Sequence, residues 1–283
     1  MRLLFLGDIV GRSGREALLE QLPRLKRELA LDFVVVNGEN AAGGFGITEK
    51  LCAEFYAAGT DVITTGNHVW DQKETVSFIG RDPRLLRPNN FPAGTPGRGA
   101  GVFDAGRGRK VMVINTIGRL FMDPLDDPFA AVERDLAAQR LGGTVDAIIL
   151  DVHAEASSEK MAFGHHLDGR VSLVVGSHTH VPTADYQILP GGTAYQTDAG
   201  MCGDYDSVIG MEKTAPVQRF IRKLPTERMT PALGPATLCG LYVETDPASG
   251  LARRVAPVRL AGRLDQARPV VAPAERLVPV ASE

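Results

Sequence analysis

Six short apolar runs recur along the chain: "LLFL" (3–6), "FVVV" (33–36), "DVIT" (61–64), "KVMVIN" (110–115), "AIIL" (147–150) and "SLVV" (172–175). They are too short for helices and rich in Val and Ile, and their apolar character is continuous rather than alternating. That combination predicts strands buried on both faces, as in a sheet covered by helices. Between the first two runs, "SGREALLEQLPRLKRELA" (13–30) places Leu18, Leu22, Leu25 and Leu29 on one helical face, and Ser13 with Glu16 reads as an S-x-x-E capping box. Pro23 should kink or divide that helix, because it lacks a backbone N–H and its ring crowds the preceding turn. A second helix is predicted over 48–59, between a Thr48 cap and Gly59, with others over 128–140 and 157–167. Strand, helix, strand is the order of a right-handed parallel crossover, so the class expected is α/β.

Beyond residue 190 the pattern turns strand-rich. "GTAYQTD" (192–198), "TLCGLYVETD" (237–246) and "RRVAPVRL" (253–260) predict a second sheet drawn largely from 190–262. "RPNNFPAGTPGRGAG" (87–101) is dense in Pro and Gly and reads as a long loop, either a plain connection or a wall of a site. The whole suits a single domain over 1–266 followed by a Pro- and Ala-rich tail, 267–283.

Composition narrows the function classes. A formal net charge of -3 on 283 residues gives no global basic field, so an anionic ligand would have to be held locally. Three cysteines, Cys52, Cys202 and Cys239, are far apart and lack C-x-x-C spacing, which argues against a disulfide framework and a thiolate metal site. The opening "MRLLFLGD" reaches Asp8 too soon for a signal peptide, and no segment approaches the ~20 apolar residues of a membrane span. A cytoplasmic protein without a membrane partner is expected; a homo-oligomer stays open.

The chemistry lies at the ends of the apolar runs. "LLFLGD" ends on Asp8, "FVVVNGEN" on Glu39 and Asn40, "DVITTGNH" on Asn67 and His68, "AIILDVH" on His153, and "SLVVGSHTH" on His178 and His180. Five strand-like segments thus deliver metal-capable side chains just past their carboxyl ends, the edge where open α/β sheets bind ligands. Singly, each has a plainer explanation: Asp8 and "NGEN" are good turn chemistry, and His68 could be a hydrogen-bonded core histidine. His178 and His180 are stronger, since i and i+2 project to the same face of an extended segment. Four of the six histidines follow strand-like runs, and that repetition raises the joint reading above each single one. His165 and His166 end a predicted helix, where the helix dipole is explanation enough.

Imidazole with carboxylate and amide oxygen, and no thiolate, suits a divalent ion such as Mn, Fe or Zn rather than Ca. Asp8, Glu39, Asn40, Asn67, His153, His178 and His180 are too many for one ion and suit two metals sharing a carboxylate, roughly 3.5 to 4 Å apart. Two divalent ions against Asp8, Glu39 and a hydroxide would leave about +1, enough to draw a phosphate ester to an acidic protein.

In order, "GDIV", "NGEN", "GNHVW", "VHAE" and "GSHTH" resemble the blocks of the calcineurin-like metallophosphoesterases. More narrowly, "GDIVGRSGR", "VNGENAAGG", "TTGNHVWD", "RPNNFP", "VGSHTHVPTAD" and "TDAGMCG" resemble the YmdB-like bacterial family, to about residue 260. The resemblance implies two packed mixed β-sheets flanked by helices, a dinuclear centre of Fe or Mn, with Zn as a further option, and phosphodiesterase activity toward 2′,3′-cyclic nucleotides. It also implies roles: Asp8, Asn40 and His180 on the first metal, Asn67, His153 and His178 on the second, and Glu39 bridging. Val10 stands where the wider superfamily has a histidine, and Glu39 with Asn40 replaces its aspartates, so the metal preference of better-known relatives does not carry over.

The mechanism then expected is in-line attack by a metal-held hydroxide on a small phosphodiester, RNA-derived ones included, with His68 protonating the leaving oxygen. A phosphomonoesterase or nucleotidase is the competing enzyme, and a metal-dependent regulatory binder the competing non-enzyme. A Gly-rich nucleotide module at "GDIVGRSGRE" ranks low, because it has neither G-x-G-x-x-G nor a G-K-[ST] ending. The segments 80–101 and "GMCGDYDSVIG" (200–210) are expected to shape the pocket.

Overall fold

A computed structural model describes residues 1–270. In chain order its first half contains β1 (Arg2–Leu6), α1 (Gly11–Glu28), β2 (Phe33–Asn37), α2 (Glu49–Ala58), β3 (Val62–Thr64), α3 (Thr75–Phe78), β4 (Ala100–Asp104), β5 (Lys110–Ile117) and α4 (Pro128–Leu136). The second half contains β6 (Ala147–His153), α5 (Ser157–His166), β7 (Leu173–Ser177), β8 (Gln187–Ile188), β9 (Ala194–Gln196), β10 (Gly203–Asp204), α6 (Thr214–Arg222), β11 (Ala236–Thr245) and β12 (Ala252–Leu260). All six apolar runs are strands, and four of them extend past their apolar stretch, to Asn37, Ile117, His153 and Ser177.

The strands form two mixed sheets. One runs β10-β11-β1-β2-β3 with β12 paired to β11, and the other β4-β5-β6-β7-β9-β8. Side-chain alternation explains why the runs are apolar throughout. Leu3, Phe5, Phe33 and Val35 face Val111, Val113, Ile149, Leu173 and Val175 across the gap between the sheets. Leu4, Leu6, Val34 and Val36 point the other way, into Leu18, Leu22 and Leu25 of α1 and Phe55 of α2. On the far side, Ile114, Ile148, Leu150 and Val174 pack under Val132 and Leu136 of α4 and Phe163 of α5. Helix, sheet, sheet, helix is therefore the layer order, and the central strands β1, β2, β5, β6 and β7 bury both of their faces.

Several sequence expectations need correction. Residues 190–262 do not build a sheet of their own: β9 joins the β5–β7 sheet, while β10, β11 and β12 extend the β1–β3 sheet. The region is strand-rich as expected, but its pairing partners lie far away in sequence, β1 running antiparallel to β11. Ser13 is no cap. α1 starts earlier, at Gly11, with no side-chain cap, and its end is held by tertiary bonds: Gly11 N donates to Asn40 O at 3.0 Å, and Val10 N to Cys202 O at 2.9 Å. Pro23 does not divide α1, which continues to Glu28. Its lost hydrogen bond is outweighed by the buried Leu18, Leu22 and Leu25 stripe on either side of it. The loop at 87–101 ends sooner, since Ala100 already opens the edge strand β4. Thr48 does cap α2, accepting from Leu51 N at 3.3 Å, and Gly59 closes it at φ 109°. Of the proposed tail, Ala267 bridges to Arg259, and 271–283 lie outside the described residues. Among the described residues, no helix is long and apolar enough to cross a membrane.

Candidate metal centre

β1, β2 and β3 run parallel, as do β5, β6, β7 and β9, so their carboxyl ends open on shared edges. Asp8 follows β1, Glu39 and Asn40 follow β2, and Asn67 follows β3. His153 closes β6, and His178 and His180 follow β7. The structure brings all seven together.

Around His153 Nε2 three other donor atoms converge: Asn67 Oδ1 at 3.0 Å, Glu39 Oε1 at 3.1 Å and His178 Nδ1 at 3.1 Å. Glu39, His153 and His178 offer ligand atoms all within 4.8 Å of one another, and so do Asp8, Glu39 and His180. Glu39 is the member common to both groups. Asn40 Nδ2 contacts both Glu39 Oε1 and His180 Nε2 at 3.1 Å, and an amide flip would present its oxygen there instead.

The donor set fits a divalent cation on independent grounds. Asp8 Oδ1 is a buried carboxylate oxygen with no hydrogen-bond partner, and burial raises the Asp8 pKa, which is the state a nearby cation would reverse. Gly66 keeps the cradle open, because a Cβ there would collide with His153 Nε2 and Glu39 Oε2. Burial opposes ionisation of both Glu39 and His153, yet their mutual attraction lowers the carboxyl pKa and raises that of the imidazole, and a cation bound between them would take the place of the His153 Nε2 proton. His178 is pushed down to about 3 by burial and by His153, so its ring is a neutral donor at pH 7.

A model of the YmdB-like protein family matches residues 4–258. The chain belongs to that family. A Bacillus subtilis (strain 168) relative named 2′,3′-cyclic-nucleotide 2′-phosphodiesterase is 49% identical over 246 residues, which cover 87% of this chain and 92% of the relative. A crystal structure of a hypothetical protein from Thermus thermophilus superposes with a TM-score of 0.86 at 40% identity, covering 93% of this chain and 100% of that one. A structure described as a novel phosphatase from Mycoplasma pneumoniae gives the same TM-score at 33% identity, covering 92% and 93%.

In this YmdB-like chain the second histidine pair is not presented as its spacing predicts. His178 and His180 are not on an extended segment: both adopt left-handed backbone, at φ 94° and 67°. Such conformations cost non-glycine residues free energy and persist where the surroundings impose them. Here Asp198 does so, accepting from Thr179 N at 3.1 Å, Thr179 Oγ1 at 2.7 Å and Lys160 Nζ at 2.7 Å. The turn sends the two rings to different donor groups instead of stacking them side by side.

Each imidazole also has a second partner that sequence reading missed. His153 Nδ1 bonds Ser177 Oγ at 2.9 Å, and Ser177 donates to Asp151 Oδ1 at 2.6 Å. That chain keeps the proton on Nδ1 and leaves Nε2 for a ligand. Asp151 further accepts from Asn37 Nδ2 at 3.0 Å and Thr64 Oγ1 at 2.5 Å, so one buried carboxylate ties both sheets together under the site. His178 Nε2 meets Glu155 Oε2 at 3.2 Å, and His180 Nδ1 donates to Ile209 O at 2.7 Å. A lone aspartate inside the apolar strand "AIILDVH" was the available signal for Asp151. Nothing local marks Lys160 or Asp198. The segment 200–210 does reach the site, through Ile209.

His68 lies at the rim. Its backbone N donates to Glu39 Oε2 at 3.2 Å, its Nδ1 meets Asp71 Oδ2 at 2.8 Å, and its ring stands edge-on to Phe45 with centroids 5.1 Å apart.

Proposed function

We propose that this chain is a metal-dependent phosphodiesterase acting on phosphate diesters, above all 2′,3′-cyclic nucleotides. The observation that carries this reading is Glu39, a buried carboxylate common to two adjacent donor groups. Two divalent ions, iron or manganese with zinc as a third option, would supply neutralisation of the phosphoryl oxygens and an activated water. Asp8, Asn40 and His180 would hold one ion, Asn67, His153 and His178 the other, and Glu39 would be shared. Ser177 and Asp151 would keep the His153 tautomer that leaves Nε2 to bind. His68 would act as general acid: with Nδ1 engaged by Asp71, Nε2 is the atom that passes a proton to the leaving ribose oxygen. The name of the Bacillus subtilis relative supports the cyclic-nucleotide class. Three free, buried cysteines are in keeping with a reducing, cytoplasmic setting.

The test is hydrolysis of 2′,3′-cyclic AMP by protein loaded with manganese or iron, beside a chelator-treated control and a phosphomonoester. Metal-dependent cleavage of the cyclic diester with little monoester turnover is expected. Preferential monoester cleavage would make the chain a phosphatase, and two bound ions with no cleavage of either would leave a regulatory binder.

A further inference from the structure

The segment 213–228, "KTAPVQRFIRKLPTER", holds five basic residues and one acidic residue in a chain whose net charge is -3. Lys213 is paired with Asp206 at 2.9 Å. Arg219, Arg222, Lys223 and Arg228 form no ion pair among the described residues. The same segment exposes large apolar side chains, Phe220 and Ile221 at 71% each. Phe220 lines a cavity of about 390 Å³ with Val208, Ile209 and Met229, flanked by Arg219 and Lys223.

One end of this surface touches the candidate centre and the other reaches its rim at His68. Ile209 lines the cavity, and its carbonyl accepts from His180. Arg228 lies 5.8 Å over the ring of Phe45, the same ring that stands against His68. A cyclic mononucleotide has one phosphate, and the centre would take it. Four uncompensated cations and an exposed aromatic ring would then have no counterpart in the substrate. An oligoribonucleotide ending in a 2′,3′-cyclic phosphate has both, in its upstream phosphates and bases.

We propose that α6 and its flanks bind the RNA body that precedes a terminal 2′,3′-cyclic phosphate, so that the substrate class is RNA 3′ ends. This rests on the phosphodiesterase reading of the centre. Phe220 and Ile209 would stack a base, while Arg219 and Lys223 would contact phosphates on either side of it, the usual division of labour in single-strand binding. An anionic membrane is the other surface a basic, apolar segment could meet. The concave cavity, and the bond between its lining residue Ile209 and His180, favour a ligand that continues into the centre.

The experiment uses the full chain in two states. In chelator-treated protein, fluorescence anisotropy follows a fluorescein-labelled RNA of about six nucleotides ending in 2′,3′-cyclic phosphate, with 2′,3′-cyclic AMP as competitor. In metal-loaded protein, KM is compared for the same two compounds. The oligonucleotide should bind about tenfold or more tighter than the mononucleotide, with log affinity falling by roughly 0.7 per phosphate contact for each tenfold rise in salt. R219E/K223E should flatten that salt dependence and raise the oligonucleotide KM well beyond any rise for the mononucleotide. F220A should weaken binding about fivefold or more with the salt slope kept.

Equal KM values for the two compounds and no anisotropy change would overturn the proposal. Binding of phosphatidylglycerol vesicles in place of RNA would overturn it as well. RNA binding that persists while neither compound is cleaved would uphold the RNA surface and remove the phosphodiesterase reading instead.

Discussion

The two sheets contribute chemically different halves of one centre. The β1–β3 sheet delivers oxygen donors and amides, Asp8, Glu39, Asn40 and Asn67, through strand-to-turn exits. The β4–β9 sheet delivers the imidazoles, each with a protein partner on its other nitrogen: Ser177 for His153, Glu155 for His178, and the Ile209 carbonyl for His180. The oxygen half is under-satisfied, with Asp8 Oδ1 buried and unpartnered, whereas the nitrogen half is fully braced. One half is built to need a cation and the other to be aimed before one arrives. Damage to the first should therefore remove metal, and damage to the braces of the second should misalign it.

Glu39→Ala should break the comparison most completely, because it removes the member common to both groups. Metal analysis should find both ions lost, with turnover at background. Retention of two ions per chain would show that Glu39 is not shared. His68→Ala comes next. Its ring is anchored by Asp71 and Phe45, outside the two donor groups, so metal content should hold while turnover of a cyclic diester falls by roughly 10²- to 10⁴-fold. Loss of metal in that variant would move His68 from proton donor to ligand.

Lys160→Met tests the braces of the nitrogen half. Lys160 and Asp198 are both buried, and removing one partner leaves the other charge uncompensated, at a cost of about 3 to 5 kcal/mol. Asp198 also holds Thr179 between the two left-handed histidines, so the urea midpoint and His180-dependent metal binding should fall together. Adding Asp198→Asn to Lys160→Met should recover part of the stability but not the metal binding. Ser177→Ala is a smaller cut. It unlinks Asp151 from His153, and a lost orienting partner of this kind lowers metal affinity by about 10- to 100-fold with the fold intact. An unchanged metal affinity would mean that the strand end alone orients His153.

How much of this was legible in the sequence follows the same division. The oxygen half could be read because its residues sit directly after apolar runs, where strand exits and turn chemistry coincide in "LLFLGD" and "FVVVNGEN". His178 and His180 were legible as donors but not in their geometry, since the left-handed turn is imposed by Asp198, eighteen or more residues away, and by Lys160 on α5. The expectation of a second sheet from 190–262 failed for a related reason. β11 completes the first sheet beside β1, and no local pattern at 236–245 says which distant strand it will join. Ser13 and Glu16 satisfied a local capping rule, yet the helix start was decided by backbone bonds from Val10 and Gly11 to Cys202 and Asn40. Local signals held where a residue's neighbours in sequence are its neighbours in space.

The smallest expected effect calibrates the brace at Lys160. Glu133 on α4 makes the same kind of contact in the open, paired with Arg170 at 2.6 Å and His166 at 2.8 Å on the outer side of the second sheet. Hydrogen bonds from Arg170 hold the Glu133 carboxyl down at about 2, below its unfolded value. A depressed carboxyl pKa stabilises the fold above the unfolded pKa, and that contribution disappears as pH falls toward 2. Because both partners are more than a third exposed, water screens the pair and its contribution should stay under about 1 kcal/mol. Glu133→Gln should thus lower the unfolding midpoint slightly at pH 7, and the gap to the parent protein should narrow at pH 3. A loss at pH 7 as large as that of Lys160→Met would mean that burial is not what separates the two ion pairs.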